Sequence, residues 1–371
     1  MKNLIIIGNG LDKAHGLKTS YNEFIEDLFL KYFRNPTAYS TIMKSCPSSI
    51  NDFGELLQYL RNYYKSGFVK GVDRVTPFHY AGEEIPTLRF KNRFIELLLT
   101  DMIDYNWCDI EFTYFEELMR YNNSSFDPKR LNDDFEDVKK HLSEYLLDEE
   151  KRAVKIDRYE HLFKFFADSP NPDRNTLILT FNYTRTIEKL YQDVIVSPII
   201  YLHGRLEDEK NPMIFGYAAN MDELDTLLSQ NNNEFLKNIK RLLYKRTKNE
   251  KTLNKFLNPD RFGGPALEDV NVFILGHSCG LSDNLILGEI FNHESIHRIK
   301  IFYHETFDNY FDVQVNMDRI SHTGFEKLVN FEESHRMPQW DDDENKTKNF
   351  LKHLENEQFR FWESPKNLFK N

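Results

Sequence analysis

The chain has 371 residues, 40% of them hydrophobic, which is enough for one large or two medium domains. Its formal net charge of −11 and pI near 5.6 argue against a broad nucleic-acid-binding surface, because affinity for phosphate backbones comes mainly from Lys and Arg. The cysteines Cys46, Cys108 and Cys279 are odd in number, far apart and without a C-x-x-C, so we expect a reducing compartment and no structural zinc or other metal site.

In chain order, the first predicted element is a buried strand over residues 3–8. It is the run Leu4-Ile5-Ile6-Ile7, stopped by Gly8-Asn9-Gly10, with Gly16 completing a glycine-bearing turn. Four apolar residues followed by Gly, Asn and Asp are too few for a signal peptide, and nothing reaches the roughly 18 apolar residues of a membrane span. We therefore expect a cytoplasmic protein with no membrane association. Helical periodicity follows over Tyr21–Phe33, Phe53–Tyr64, Phe90–Tyr105, Phe112–Tyr121, Asp134–Leu147 and Ile156–Phe166. This stretch is too long for a simple crossover and predicts a helical subdomain, residues 36–169, inserted into an α/β domain built from 1–35 and 170–335.

Short apolar runs return at Thr176–Phe181, Pro198–Leu202, Met213–Phe215, Val270–Leu275 and Ile299–Tyr303. Most end in polar or glycine turns: Asn182-Tyr183-Thr184, His203-Gly204, Gly216-Tyr217 and Gly276-His277-Ser278. Strands buried on both faces that each deliver a polar turn point to an open parallel sheet, with the ligand site outside the carboxyl ends. Residues 222–259 read as a second helical insertion of mixed charge, and residues 336–371 as a charged tail.

The first loop has neither the Lys-Ser/Thr ending of a P-loop nor the third glycine of G-x-G-x-x-G, where Lys13 stands. Gly8 and Gly10 still permit a sharp turn close to a ligand, and a helix N-terminus beyond them offers N–H groups to a phosphate. Its plain alternative is a strand-to-helix turn. Asn182 can be a turn former or cap, and a lone His203 is more often structural than catalytic. Gly276-His277-Ser278-Cys279-Gly280 satisfies the letters of a serine nucleophile turn, with Asp283 or Asp308 and His304 or His322 available as partners.

Taken together, the glycine loop (Gly8, Gly10, Gly16, Leu17), Thr180–Asn182, His203-Gly204 and Gly276–Ser278 follow the order of motifs in the sirtuin-like family, which the chain resembles. A closer resemblance is to the AbiH family of bacterial phage abortive-infection proteins. It is carried by residues 5–21, the stretches LTFNYT, YLHG, FGYA and GHSCGLSDNLIL, and WCDIE at Trp107–Glu111. The resemblance implies an α/β fold, a sirtuin-like Rossmann-type parallel sheet with a large helical insertion, that binds NAD and serves in anti-phage defence. It also implies roles: His203 as general base, Asn182 at the nicotinamide ribose, and Gly8, Asn9, Gly10, Asp12, Gly16, Gly276, His277, Ser278 and Asp283 as NAD-binding residues.

The departures are specific. A four-cysteine zinc module is missing, Phe181 replaces the usual Gln before the Asn, Thr184 replaces Asp, Asn9 replaces Ala and Asp12 replaces Ser. A zinc-free relative with these changes is closer to defence proteins that cleave NAD than to deacylases. The expected function is therefore NAD hydrolysis to nicotinamide and ADP-ribose, with NAD as substrate or ligand. An NAD- or ADP-ribose-binding module without catalysis and a serine hydrolase remain as alternatives. A second copy of the chain or a partner defence protein stays open as an interaction partner.

Overall fold

The computed structural model describes residues 1–67, 88–105, 109–120, 127–168, 171–304 and 306–321, together with 327–328, 335–337, 345, 348 and 352. Trp107 and Cys108 of the WCDIE stretch, His322 and most of the charged tail lie outside the described residues. The strands are β1 (Lys2–Ile7), β2 (Met43–Ser45), β3 (Arg89–Phe90), β4 (Thr176–Thr180), β5 (Ile199–Tyr201), β6 (Val270–Leu275), β7 (Ile296–Tyr303) and β8 (His335–Arg336). By contact the chain divides into two compact units. The first is Met1–Lys18, Leu146–Ile214 and Lys240–Asn371; the second is Thr19–Tyr145 and Phe215–Ile239.

The first unit is built on a parallel sheet in the order β5-β4-β1-β6-β7-β8. Its strands are rich in apolar residues because both faces are covered, and β1, β4 and β6 are buried along their whole length. Leu4, Ile6, Leu177, Leu179, Val272 and Ile274 pack on one face with helices Asn249–Leu257, Asn284–Asn292 and Phe307–Ile320. On the other, Ile5, Ile7, Ile178, Phe273 and Leu275 pack with helices Asn9–Ala14, Asp157–Ala167 and Thr186–Tyr191. Leu4 through Ile7 are fully buried, and each such side chain contributes roughly 1.5–3 kcal/mol of apolar transfer.

The second unit contains helices Tyr21–Arg34, Phe53–Gly67, Arg93–Tyr105 and Ile110–Arg120, most of Pro128–Glu150, and the antiparallel pair β2–β3. Ser20 and Glu23 form a reciprocal capping box at the first of these helices. Asp109 caps Ile110–Arg120 through its carboxylate, which accepts from the N–H groups of Glu111 and Phe112. The FGYA stretch lies here too. Gly216 N–H donates to the buried Glu111 carboxylate at 2.9 Å, Phe215 stacks on Phe135, and Tyr217 stacks on Phe115. Two stretches far apart in sequence thus meet as a structural pair.

Met213–Phe215 is not a strand. The segment makes one ladder-like bond, Ile214 N–H to the His203 carbonyl at 2.7 Å, and then enters the aromatic cluster at Phe215. Three apolar residues can serve packing alone, and periodicity does not separate that case from a short strand.

Candidate functional site

The sheet order decides which turns meet. β5, β4, β1 and β6 are consecutive neighbours and parallel, so the turns after all four leave the same edge of the sheet. Those turns carry His203, Asn182, Gly8–Gly10 and Gly276–Ser278. The ladder runs into them: Phe181 N–H donates to the Ile7 carbonyl and Leu202 N–H to the Thr180 carbonyl. Asn182 lies in the turn after β4 and does not cap the helix that follows, where Arg185 holds the cap position. The Asn182 amide donates to the Gly8 carbonyl at 3.0 Å, joining the turns after β4 and β1.

His203 is 4% exposed and is walled by aromatic rings, edge-on to Phe181 at 5.1 Å and parallel to Tyr244 at 6.1 Å. The chain turns directly after it because Gly204 adopts φ +74°. A Cβ there would sit 2.0 Å from the Pro212 carbonyl oxygen, which only glycine avoids. His203 Nε2 lies 3.1 Å from Asp283 Oδ1, at ion-pair distance but without hydrogen-bond alignment. The same Oδ1 accepts from the fully buried Lys240 ammonium at 3.0 Å, and His277 Nε2 is 3.5 Å from Oδ2. His277 Nδ1 accepts from Cys279 N–H, so the proton of neutral His277 lies on Nε2, facing Asp283.

These contacts set the charges. Burial would raise the Asp283 carboxyl, yet Lys240, His203 and His277 together hold it well below the usual carboxylate range. Burial, with the Lys240 charge adding to it, lowers His203 to about 4 against the attraction of Asp283. The imidazole is therefore neutral at neutral pH. Among the described residues its Nδ1 makes no hydrogen bond, so the nitrogen away from Asp283 is the one able to accept a proton.

The glycine loop is used differently from a phosphate cradle. Gly8 N–H donates to the Leu275 carbonyl, Gly10 N–H to the Gly276 carbonyl and Leu11 N–H to the Gly8 carbonyl. A Cβ on Gly10 would stand 2.8 Å from both Cα and O of Gly276, so the space freed by the glycine holds the neighbouring turn. Asn9 opens the six-residue helix Asn9–Ala14, and Gly16 closes the turn beyond it by donating to the Lys13 carbonyl. Asp12 is not the cap of that helix, since Gly8 holds the cap position. Its Oδ2 accepts from Thr184 Oγ at 2.6 Å, and its Oδ1 has no hydrogen-bond partner among the described residues. Burial raises the Asp12 carboxyl to about 6, partly offset by the Thr184 hydroxyl.

Ser278 is exposed, and its carbonyl accepts from Asn316; among the described residues no histidine bonds to its hydroxyl. The residue with the positive φ that a nucleophile elbow requires is Cys279, at +53°. Its thiol is fully buried, and burial pushes its pKa upward. The letters of the serine motif therefore do not bring its geometry with them. Among the described residues no group of three or more His, Cys, Asp or Glu is arranged to hold a metal ion, and no helix is long and apolar enough to cross a membrane.

The sequence reading misses Lys240 and Tyr244, which complete the His203–Asp283 cluster. Neither lies in a recognisable turn: Lys240 opens a four-residue helix and Tyr244 the 3-10 turn after it. A buried lysine amid apolar neighbours gives no motif signal. His15 is missed too, and its role is internal. Its Nδ1 donates to the Leu11 carbonyl, which requires Nε2 to accept from Tyr191 OH.

The family model described as "Bacteriophage abortive infection AbiH" matches residues 4–305 of the chain. No curated protein matches it.

Proposed function

Because the chain belongs to the bacteriophage abortive infection AbiH family, we propose that it serves phage defence as an NAD hydrolase acting at the His203–Asp283 cluster. Membership implies the role in phage abortive infection; the substrate and the reaction are our reading. The observation that supports it most is the meeting of the turns after four neighbouring parallel strands, with Asn182 tied to Gly8 and both His203 and His277 facing one carboxylate. The crevice outside strand carboxyl ends is where open α/β sheets bind nucleotides.

Hydrolysis of the nicotinamide–ribose bond passes through an oxocarbenium-like state, as in glycoside hydrolysis. When the bond breaks, its electron pair leaves with nicotinamide, which departs neutral. Water adds to the ribose carbon and gives up one proton. His203 is the acceptor for that proton through Nδ1, with the Asp283 charge beside Nε2 favouring the proton on that nitrogen and stabilising the imidazolium. Lys240 keeps Asp283 ionised for this purpose. The unpartnered Asp12 Oδ1, close to Thr184, suits a hydroxyl of the substrate. Since the loop N–H groups of Gly8, Gly10 and Leu11 are already engaged, this reading does not rest on a glycine cradle for the pyrophosphate.

Purified protein incubated with NAD should release nicotinamide, measured by chromatography. His203→Ala and Asn182→Ala should each lower the rate about a hundredfold or more, the usual scale for losing a general base. The double variant should be little worse than the poorer single, because both act on one transition state. The acid limb of kcat/KM should lie near the lowered His203 value of about 4, leaving the rate flat between roughly pH 6 and 8. Wild-type protein that binds NAD by calorimetry yet leaves it intact would make this a binding module instead.

A further inference from the structure

One segment of the first unit is strongly basic. Residues 240–261 carry eight Lys or Arg against two acidic residues, in a chain whose net charge is −11. Lys240 is spent on Asp283, but others in this segment are not paired. The 3-10 turn Tyr244–Arg246, the helix Asn249–Leu257 and the 3-10 turn Asp260–Phe262 border an open cavity of about 490 Å³. Lys245, Lys251 and Arg261 line it, all exposed, and among the described residues none of them forms an ion pair. Asn254, whose side-chain amide makes no hydrogen bond among the described residues, lines it as well. So does Phe262, a phenyl ring left 45% exposed on the wall. Glu250 is the one carboxylate in the lining, against three cations.

We propose that this cavity is a binding site for a nucleotide, with Lys245, Lys251 and Arg261 taking its phosphates and Phe262 and Asn254 receiving its base. The volume falls within the roughly 300–1,000 Å³ usual for small-ligand pockets. Three cations without an ion-pair partner among the described residues along one concavity offer phosphate oxygens charge-assisted hydrogen bonds. An exposed aromatic face offers a base the stacking that an inorganic anion cannot use. Glu250 repels phosphate and accepts from an exocyclic amine or a ribose hydroxyl, which favours a nucleotide over a bare polyphosphate. The cavity has none of the proposed catalytic side chains in its lining; Tyr244 alone is common to both, since its other contact is the His203 ring. The assignment does not depend on NAD cleavage.

The test is calorimetry on the full chain with ATP, and separately with inorganic triphosphate, at low salt. ATP should bind, and Lys251→Glu and Arg261→Glu should each weaken it about tenfold or more, with melting temperatures unchanged because both side chains are exposed. Affinity should fall as NaCl is raised. Inorganic triphosphate should bind more weakly than ATP, and Phe262→Ser should narrow that difference. Arg174→Glu, an exposed charge reversal just before β4 and no part of the cavity, should bind ATP as wild type does. The proposal is overturned if millimolar ATP does not bind, or if folded charge-reversal variants bind it unchanged. Triphosphate binding as tightly as ATP would overturn the assignment of a nucleotide.

Discussion

At the scale of single residues, burial matters more than identity. His203 and Asn182 are legible in the sequence because each ends an apolar run, and Asp283 because it follows a glycine turn. Their protonation states are not legible, since they depend on Lys240, 43 residues before Asp283, and on the rings of Phe181 and Tyr244. Asp12 gives the sharpest test of such an environment. Burial raises its carboxyl from 3.8 to about 6, so the folded chain keeps a proton that the unfolded chain releases earlier. Its contribution to stability therefore falls as pH rises from about 4 to 6, and stays low above that. Asp12→Asn keeps an acceptor for Thr184 and removes the titration. The variant should be more stable than wild type at pH 8, by at most about 3 kcal/mol, and should converge with it below pH 4. Denaturant midpoints at both pH values would show it; an equal difference at both would remove the titration as the cause.

At the scale of elements, legibility follows the depth of burial on both faces. β1, β4, β5, β6 and β7 each hold a run of apolar residues and are read to within a residue or two, apart from the start of β7, where His297 and Arg298 interrupt the run. β2, β3 and β8 (MKS, RF and HR) hold no apolar run and leave no pattern to find, whereas the equally short β5 is flagged by its Ile-Ile-Tyr run; Met213–Phe215 imitates a strand while serving as a packing segment. The glycine loop is legible as a turn, but its closest neighbour is not. Gly10 approaches the backbone of Gly276, in the turn after β6, which no local reading anticipates. Gly10→Ala should consequently cost about 1–3 kcal/mol through overpacking of two backbones, read as a lower denaturant midpoint with an unchanged m-value. A variant as stable as wild type would mean that the two turns part easily and that the contact is loose.

At the scale of the whole molecule, buried histidines govern the response to acid. His15 and His203 are both lowered to about 4, in each case chiefly by burial. The unfolded chain takes up protons near 6.5 that the folded chain refuses until about 4, so stability is lost as pH falls through that window. By pH 5 each histidine should have removed about 2 kcal/mol, more than the opposing effect of Asp12 returns. The melting temperature should therefore be lower at pH 5 than at pH 7.5, and His15→Gln should flatten the change. A melting temperature that holds steady over this range would contradict the neutral, buried state of both rings.

The central position of β1 bears on how the chain is made. Its ladder partners are residues 176–180 and 270–275, so β1 leaves the ribosome well ahead of both strands it pairs with. At a synthesis rate of about 5–20 residues per second, β1 waits on the order of ten seconds or more for its first neighbour. Through that interval four consecutive aliphatic residues stand with both strand edges unpaired, the pattern that recruits other nascent chains. A polypeptide released before Thr176 keeps that hazard permanently, which makes the early part of translation the stage at which this protein most needs a chaperone.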